Sequence, residues 1–150
     1  MSEFRPGQRY LDLQSQGGSR EPRGGVWEFL GWRLADIGPG HSTLEWDTTT
    51  DHAFPTYSGD WIVHGGMVTA LLDTAMGQAT WTLLDRDEVF LTANLHTEFY
   101  RPTKPGLLRA EGRVVHKTRR VAFATAELFD PDGKLLAGGR VTNMMLEQKD

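Results

Sequence analysis

The chain has 150 residues, enough for one domain with a real core and no metal or disulfide staple. Sixteen Lys and Arg against 20 Asp and Glu leave a net charge of −4, which argues against a nucleic-acid binder that works by neutralising phosphates. With no cysteine, disulfides, thiolate metal sites and cysteine nucleophiles are excluded together, and 39% hydrophobic residues exclude a disordered chain.

The N-terminal stretch MSEFRPGQRYLDLQSQGG has no apolar signal region, and no run of about 18 apolar residues follows, so a soluble cytoplasmic protein is expected. Residues 1–25, polar and rich in Gly and Arg, read as a mobile tail with a short helix over Arg9–Leu13. The ordered domain is expected over 26–150. Trp27, Phe29, Trp32, Leu34 and Ile37 read as strand residues, Gly38-Pro39-Gly40 as a turn, and Thr43–Asp47 as a returning strand. Asp51–Asp60 then reads as a loop or short helix.

Residues 64–84 are the one long helix candidate. Its apolar residues wrap nearly all round, which predicts burial on most sides. Gly77 inside it lowers helix propensity, which a close approach by another backbone would justify. Val89–Tyr100 alternates, with Val89, Leu91, Ala93, Leu95 and Phe99 predicted on one face and Thr92, Asn94, His96 and Glu98 on the other. Further strands are expected at Leu107–His116, Arg120–Phe129 and Lys134–Leu146, the last two joined by the Asp130-Pro131-Asp132-Gly133 turn. An α+β fold follows: an antiparallel sheet wrapped around one central helix, with small Ala122, Ala124 and Ala126 letting the sheet come close.

The chemistry concentrates in VHGGMVTALLDTAMGQA, residues 63–79. His64-Gly65-Gly66 opens the helix, where backbone N–H groups lack internal partners and glycines let a ligand oxygen approach, the requirement of an oxyanion hole. A flexible break before the helix is the plainer reading of Gly-Gly. Asp73 sits mid-helix among Thr69, Ala70, Met76 and Gly77, where desolvation favours its protonated form and increases its basicity. Leaning into solvent, or capping a neighbouring turn, is the alternative. Phe54, Tyr57 and Trp61 upstream are candidates to line an apolar pocket or to pack over the helix end. His41, His52, His64, His96 and His116 lack ligand spacing, so no metal site is expected, and neither a G-x-S-x-G elbow nor a phosphate-binding glycine loop occurs.

This segment resembles the signature of the hotdog-fold acyl-CoA thioesterases, in particular the phenylacetate-degradation (PaaI-like) branch. An acidic residue, Asp73, follows the His of HGG by nine positions, and Phe99-Tyr100-Arg101-Pro102 with Gly106 matches the branch's later strand and turn. VVHKTRRVAFATAEL and DPDGKLLAGGRVT extend the likeness over about residues 27–146. The resemblance implies a hotdog domain that hydrolyses acyl-CoA as a homo-oligomer, a dimer or a tetramer built as a dimer of dimers, without a cofactor. It implies Asp73 as general base or nucleophile, Gly65 as carbonyl-polarising donor, His64 as a residue orienting the thioester, and Thr92 as a residue placing water. Gly66 and Trp61 fall in its substrate-binding stretch, and Lys117, Arg119 and Arg120 in the turn that meets coenzyme A phosphates. Two positions depart from it. Ser58 stands where many relatives carry Asn, with Asp60 nearby as a substitute, and Thr118 stands where the basic turn often has Gly. His52 with Phe54-Pro55 keeps a hotdog dehydratase as an alternative, and Ser58 a non-catalytic acyl-CoA-binding module.

Overall fold

The computed structural model describes residues 25–85 and 87–147; the expected tail and its Arg9–Leu13 helix lie outside the described residues. The elements run α1 (Gly25–Leu30), β1 (Arg33–Gly38), β2 (His41–Thr48), a 3₁₀ turn (Thr50–His52), β3 (Ala53–Pro55), β4 (Trp61–Val63), α2 (Gly65–Trp81), β5 (Glu88–Phe99), β6 (Gly106–Lys117), β7 (Val121–Phe129) and β8 (Leu135–Glu147). Six strands form one antiparallel sheet in the order β1-β2-β6-β7-β8-β5, and β3 and β4 form a separate small ribbon. The sheet wraps α2, as the alternation of the C-terminal strands implies. No helix among the described residues is long and apolar enough to cross a membrane.

The core lies between α2 and the inner face of the sheet. Val68, Leu71, Leu72, Ala75 and Met76 of the helix meet Leu44, Trp46, Leu108, Ala110, Ala124, Ala126 and Leu128. The small residues of β7 are buried against the helix as expected, and the backbone of β6 also comes close to it at Gly112. A Cβ there would stand 2.4 Å from the Ala75 carbonyl oxygen. Ser42, paired with Gly112 across the strands, donates its hydroxyl to the same carbonyl at 2.7 Å. Gly77 has a different role from the expected one: its open side meets the Phe90 ring at an ordinary 3.5 Å rather than another backbone.

Three local expectations change. Residues 26–30 are helical, not extended. Gly31, at φ +74°, ends α1 by donating its N–H to the Trp27 carbonyl, and Leu30 is buried while Phe29 points outward. Asp51–Asp60, expected as loop or short helix, holds the end of the 3₁₀ turn but also β3, which pairs with β4 just beyond it. On β5 a bulge at Ala93 breaks the pairing between Thr92 and Asn94. Side chains opposite one another share a face, so Thr92 (opposite Asn143) and Leu95 (opposite Val141) both face the helix, with Phe90, Thr97 and Phe99. Thr92 therefore shares a face with Leu95 and Phe99, not with Asn94, His96 and Glu98 as expected.

Candidate active site

Two local arrangements carry the chemistry, one at each end of β5. The first is the entrance of α2. The His64 N–H donates to the His52 carbonyl, and the Val63 N–H to that of Thr103, which anchors the chain as it enters the helix. His64 is the N-cap, and its Nδ1 accepts from the Gly66 N–H at 2.9 Å. That contact leaves the neutral ring's proton on Nε2, directed away from the cap. The Gly66 amide is thus committed to the cap. The Gly65 amide has no partner among the described residues and is the donor left at the positive end of the helix. Beside it a cavity of about 350 Å³ is lined by apolar residues that include Phe54, Ile62, Val68 and Phe99. A Cβ on Gly65 would touch the Phe99 ring at 3.2 Å, so glycine keeps this approach open.

The second arrangement surrounds Asp73. Burial pushes its carboxyl above the usual carboxylate range, and the Thr92 hydroxyl, 3.5 Å from Oδ1, pulls the other way. Behind Thr92 stands Asn143 of β8, fully buried, with Oδ1 3.3 Å from the Thr92 hydroxyl and Nδ2 donating to Thr80 at 3.0 Å. Sequence reading passed over Asn143. Its signal was parity: it lies two residues after the buried Val141, so it points into the core.

The remaining expected residues are distributed around these centres. Ser58 sits on the exposed β3–β4 turn, within 2.9 Å of the Thr56 hydroxyl and 3.5 Å of Asp60. Trp61 is paired with Pro55 on the ribbon, and neither Trp61 nor the exposed Tyr57 lines the cavity that Phe54 helps form. Lys117 pairs with Glu88 at 2.9 Å, both side chains mostly buried, so its charge is neutralised at home. Arg119 and Arg120 are exposed on the β6–β7 turn, and neither side chain has a partner among the described residues. Thr118 shapes that turn without a glycine: its hydroxyl accepts from the Arg120 and Val121 amides. In register, Ala122 lies opposite Asn143 and Asn143 opposite Thr92, so the turn closes the same end of the sheet that holds Asp73. His52, part of the basis of the dehydratase alternative, accepts from the Thr49 amide at Nδ1 and packs tilted against Trp46, ring centroids 4.7 Å apart.

The family model of the thioesterase superfamily matches residues 62–137, from the end of β4 through the helix entrance, Asp73 and Thr92 into β8. The chain belongs to the thioesterase superfamily. A candidate esterase of Saccharolobus solfataricus is 28% identical over 112 residues, 75% of this chain and 71% of the relative. A thioesterase-family protein of Silicibacter pomeroyi superposes with a TM-score of 0.76 at 26% identity, covering 92% of this chain and 98% of that one. A candidate thioesterase of Ralstonia eutropha, described as phenylacetic acid degradation-related, gives 0.74 at 28% identity over 90% and 98%. These likenesses establish this superfamily member as a hotdog fold.

Proposed function

We propose that the protein hydrolyses acyl-CoA thioesters, with Asp73 as general base and the Gly65 N–H as oxyanion donor. The observation that carries the reading is a half-buried carboxylate with raised proton affinity, on the same helix as an amide that has no partner among the described residues and borders an apolar cavity. Asp73 takes a proton from water as the water oxygen bonds to the thioester carbon. The carbonyl oxygen gains charge against the Gly65 amide. Collapse breaks the C–S bond, and the proton on Asp73 passes to the departing sulfur, leaving a free acid and the coenzyme A thiol. The apolar cavity, with Phe54 and Phe99 in its wall, suits an aryl or medium-chain acyl group. The name of the Ralstonia relative points toward aryl substrates. Arg119 and Arg120, without side-chain partners among the described residues, suit the phosphates of coenzyme A.

One helix cannot supply both groups to one carbonyl. Gly65 and Asp73 are eight residues apart, about 12 Å along the axis. We infer that two subunits share each site. β5 is the last strand of the sheet, 12 residues long, and Leu91, Leu95 and Phe99 are exposed along it. Such an edge invites pairing with another strand. A two-fold antiparallel pairing of β5 with its copy, centred on His96, keeps helix-facing residues together and brings Phe99 of one chain opposite the bulge at Thr92 and Ala93 of the other. The carboxylate end of one subunit then meets the amide end of its partner.

Steady-state hydrolysis across a panel of phenylacetyl-, benzoyl-, hexanoyl-, octanoyl- and palmitoyl-CoA tests the reading. Turnover of an aryl or medium-chain member, lost in Asp73→Asn, is expected. Binding without turnover would favour a non-catalytic acyl-CoA module.

A further inference from the structure

The polar chain behind Asp73 has a direction. The Thr80 hydroxyl donates to the Met76 carbonyl at 2.9 Å, so toward Asn143 it can only accept. Its partner there must be an N–H, which turns Nδ2 of Asn143 to Thr80 and Oδ1 to Thr92. Thr92 has one hydroxyl proton and two oxygen acceptors in reach, Oδ1 of Asn143 at 3.3 Å and Oδ1 of Asp73 at 3.5 Å. When Asp73 is ionised, only one acceptor can be served. When Asp73 holds a proton, it donates to Thr92, Thr92 donates to Asn143, and each proton in the chain has an acceptor. Leaving a buried acceptor such as the Asn143 oxygen unserved is costly.

We propose that Asn143 is a positioning residue that draws the Thr92 hydroxyl proton away from Asp73 and so keeps the carboxylate a strong acceptor for the proton of water. The proposal rests on the reading of Asp73 as general base. No charged group competes for this role among the described residues. Thr92 faces Asp73 from β5, with Asn143 behind it on β8; the adjacent turns of α2 bring Thr69, Ala70, Met76 and Gly77. Asn143 acts only through Thr92, and so differs from the other buried polar contact to this helix, that of Ser42 with Ala75.

The test reads Asp73 directly. In the full-length protein carrying ¹³C-labelled aspartate, the side-chain carboxyl is titrated by NMR, with Asp73→Asn assigning the resonance. Asn143→Leu removes the competing oxygen at similar volume, and Asn143→Ser withdraws it from Thr92 while keeping a hydroxyl, should the apolar variant lose its fold. In either variant the Asp73 midpoint should move to lower pH, with proton affinity weakened about three- to tenfold. The acidic limb of kcat/KM for acyl-CoA hydrolysis should move with it, kcat falling and KM holding. Ser42→Ala should leave the midpoint in place, and in a Thr92→Val background Asn143→Leu should no longer move it. A midpoint that stays or rises in the folded Asn143 variants overturns the proposal. Undiminished hydrolysis by Asp73→Asn would instead remove the catalytic reading, while the titration still decides what Asn143 does to Asp73.

Discussion

Adding one methyl group to either of two glycines should move the stability of this protein in opposite directions. In Gly112→Ala the new Cβ would lie 2.4 Å from the Ala75 oxygen and 2.5 Å from its carbon, and neither is the movable end of a side chain. An ordinary carbon–oxygen contact requires the helix to retreat from the sheet by about 1 Å. That retreat also stretches the buried Ser42 hydrogen bond to the same carbonyl. Overpacking of this kind costs about 1–3 kcal/mol, and a weakened buried hydrogen bond adds about 1 kcal/mol. For a chain of this length the melting temperature should fall by about 6–12 °C. Gly77→Ala, two residues further along the same helix, meets the Phe90 ring at 3.5 Å and removes a helix-interior glycine. It should gain up to about 1 kcal/mol, or about 2–4 °C. Calorimetric or circular-dichroism melts of both variants at one pH supply the comparison. Because Asp73 lies two residues before Ala75, a folded Gly112→Ala should also lose about 10²-fold in kcat from misplacement of the carboxylate. A Gly112→Ala melt within 2 °C of wild type would refute the close approach of helix and sheet described here.

Asp73→Asn should raise the melting temperature by about 1–3 °C at pH 7–8, since the native carboxylate is desolvated. The raised folded-state pKa means that the folded chain holds this proton more tightly than the unfolded one. The native penalty is therefore full above the folded value, shrinks as pH falls through it, and is gone below the unfolded value of about 4. A melting difference between Asn variant and wild type that persists at pH 3 would contradict this. Neutralising Arg119 and Arg120 together should raise KM for acyl-CoA and flatten its salt dependence, leaving a short thioester without the nucleotide unaffected. Equal losses on both substrates would count against phosphate contact. Lys117→Ala should act differently: it strands the mostly buried Glu88 and should lower stability, by about 1–3 kcal/mol in denaturant titration, more than it raises KM.

The fold was legible where pattern and physics agree over many residues. The long apolar helix, the four C-terminal strands and the Asp130–Gly133 turn all follow from periodicity and turn chemistry. In that turn the Asp130 carboxylate accepts from the Asp132 and Lys134 amides. The half-burial of Asp73 was legible because it falls mid-way along such an apolar helix. What escaped were features set by single residues in three dimensions. An aromatic-rich stretch over 26–30 reads as strand, yet Gly31 caps a helix there, and the spacing of Trp27 and Leu30 was its one clue. The Ala93 bulge has no mark in the alternation, and it decides that Thr92 turns toward Asp73. Lys117 looks like its neighbours in sequence, and only the fold brings Glu88 to it across 29 residues. Asn143 lay in the strand expected over Lys134–Leu146 without being singled out there, and pairing with Thr92 is what gives it a place behind the carboxylate.

The central claim, that a carboxylate from one subunit and an amide from another share each site, is tested most directly by mixing two inactive variants. Asp73→Asn removes the base. Gly65→Pro removes the donor N–H at the first helical position, where proline is tolerated, and His64 at φ −59°, ψ 133° already has a conformation allowed before proline. Each variant alone should hydrolyse acyl-CoA at no more than a small percentage of the wild-type rate. After subunit exchange, verified by mass spectrometry of differently tagged chains, half of the dimers are mixed and each carries one intact site, so about a quarter of wild-type activity should return. No recovery, from a Gly65→Pro protein that folds and assembles and has demonstrably exchanged, would contradict the shared site.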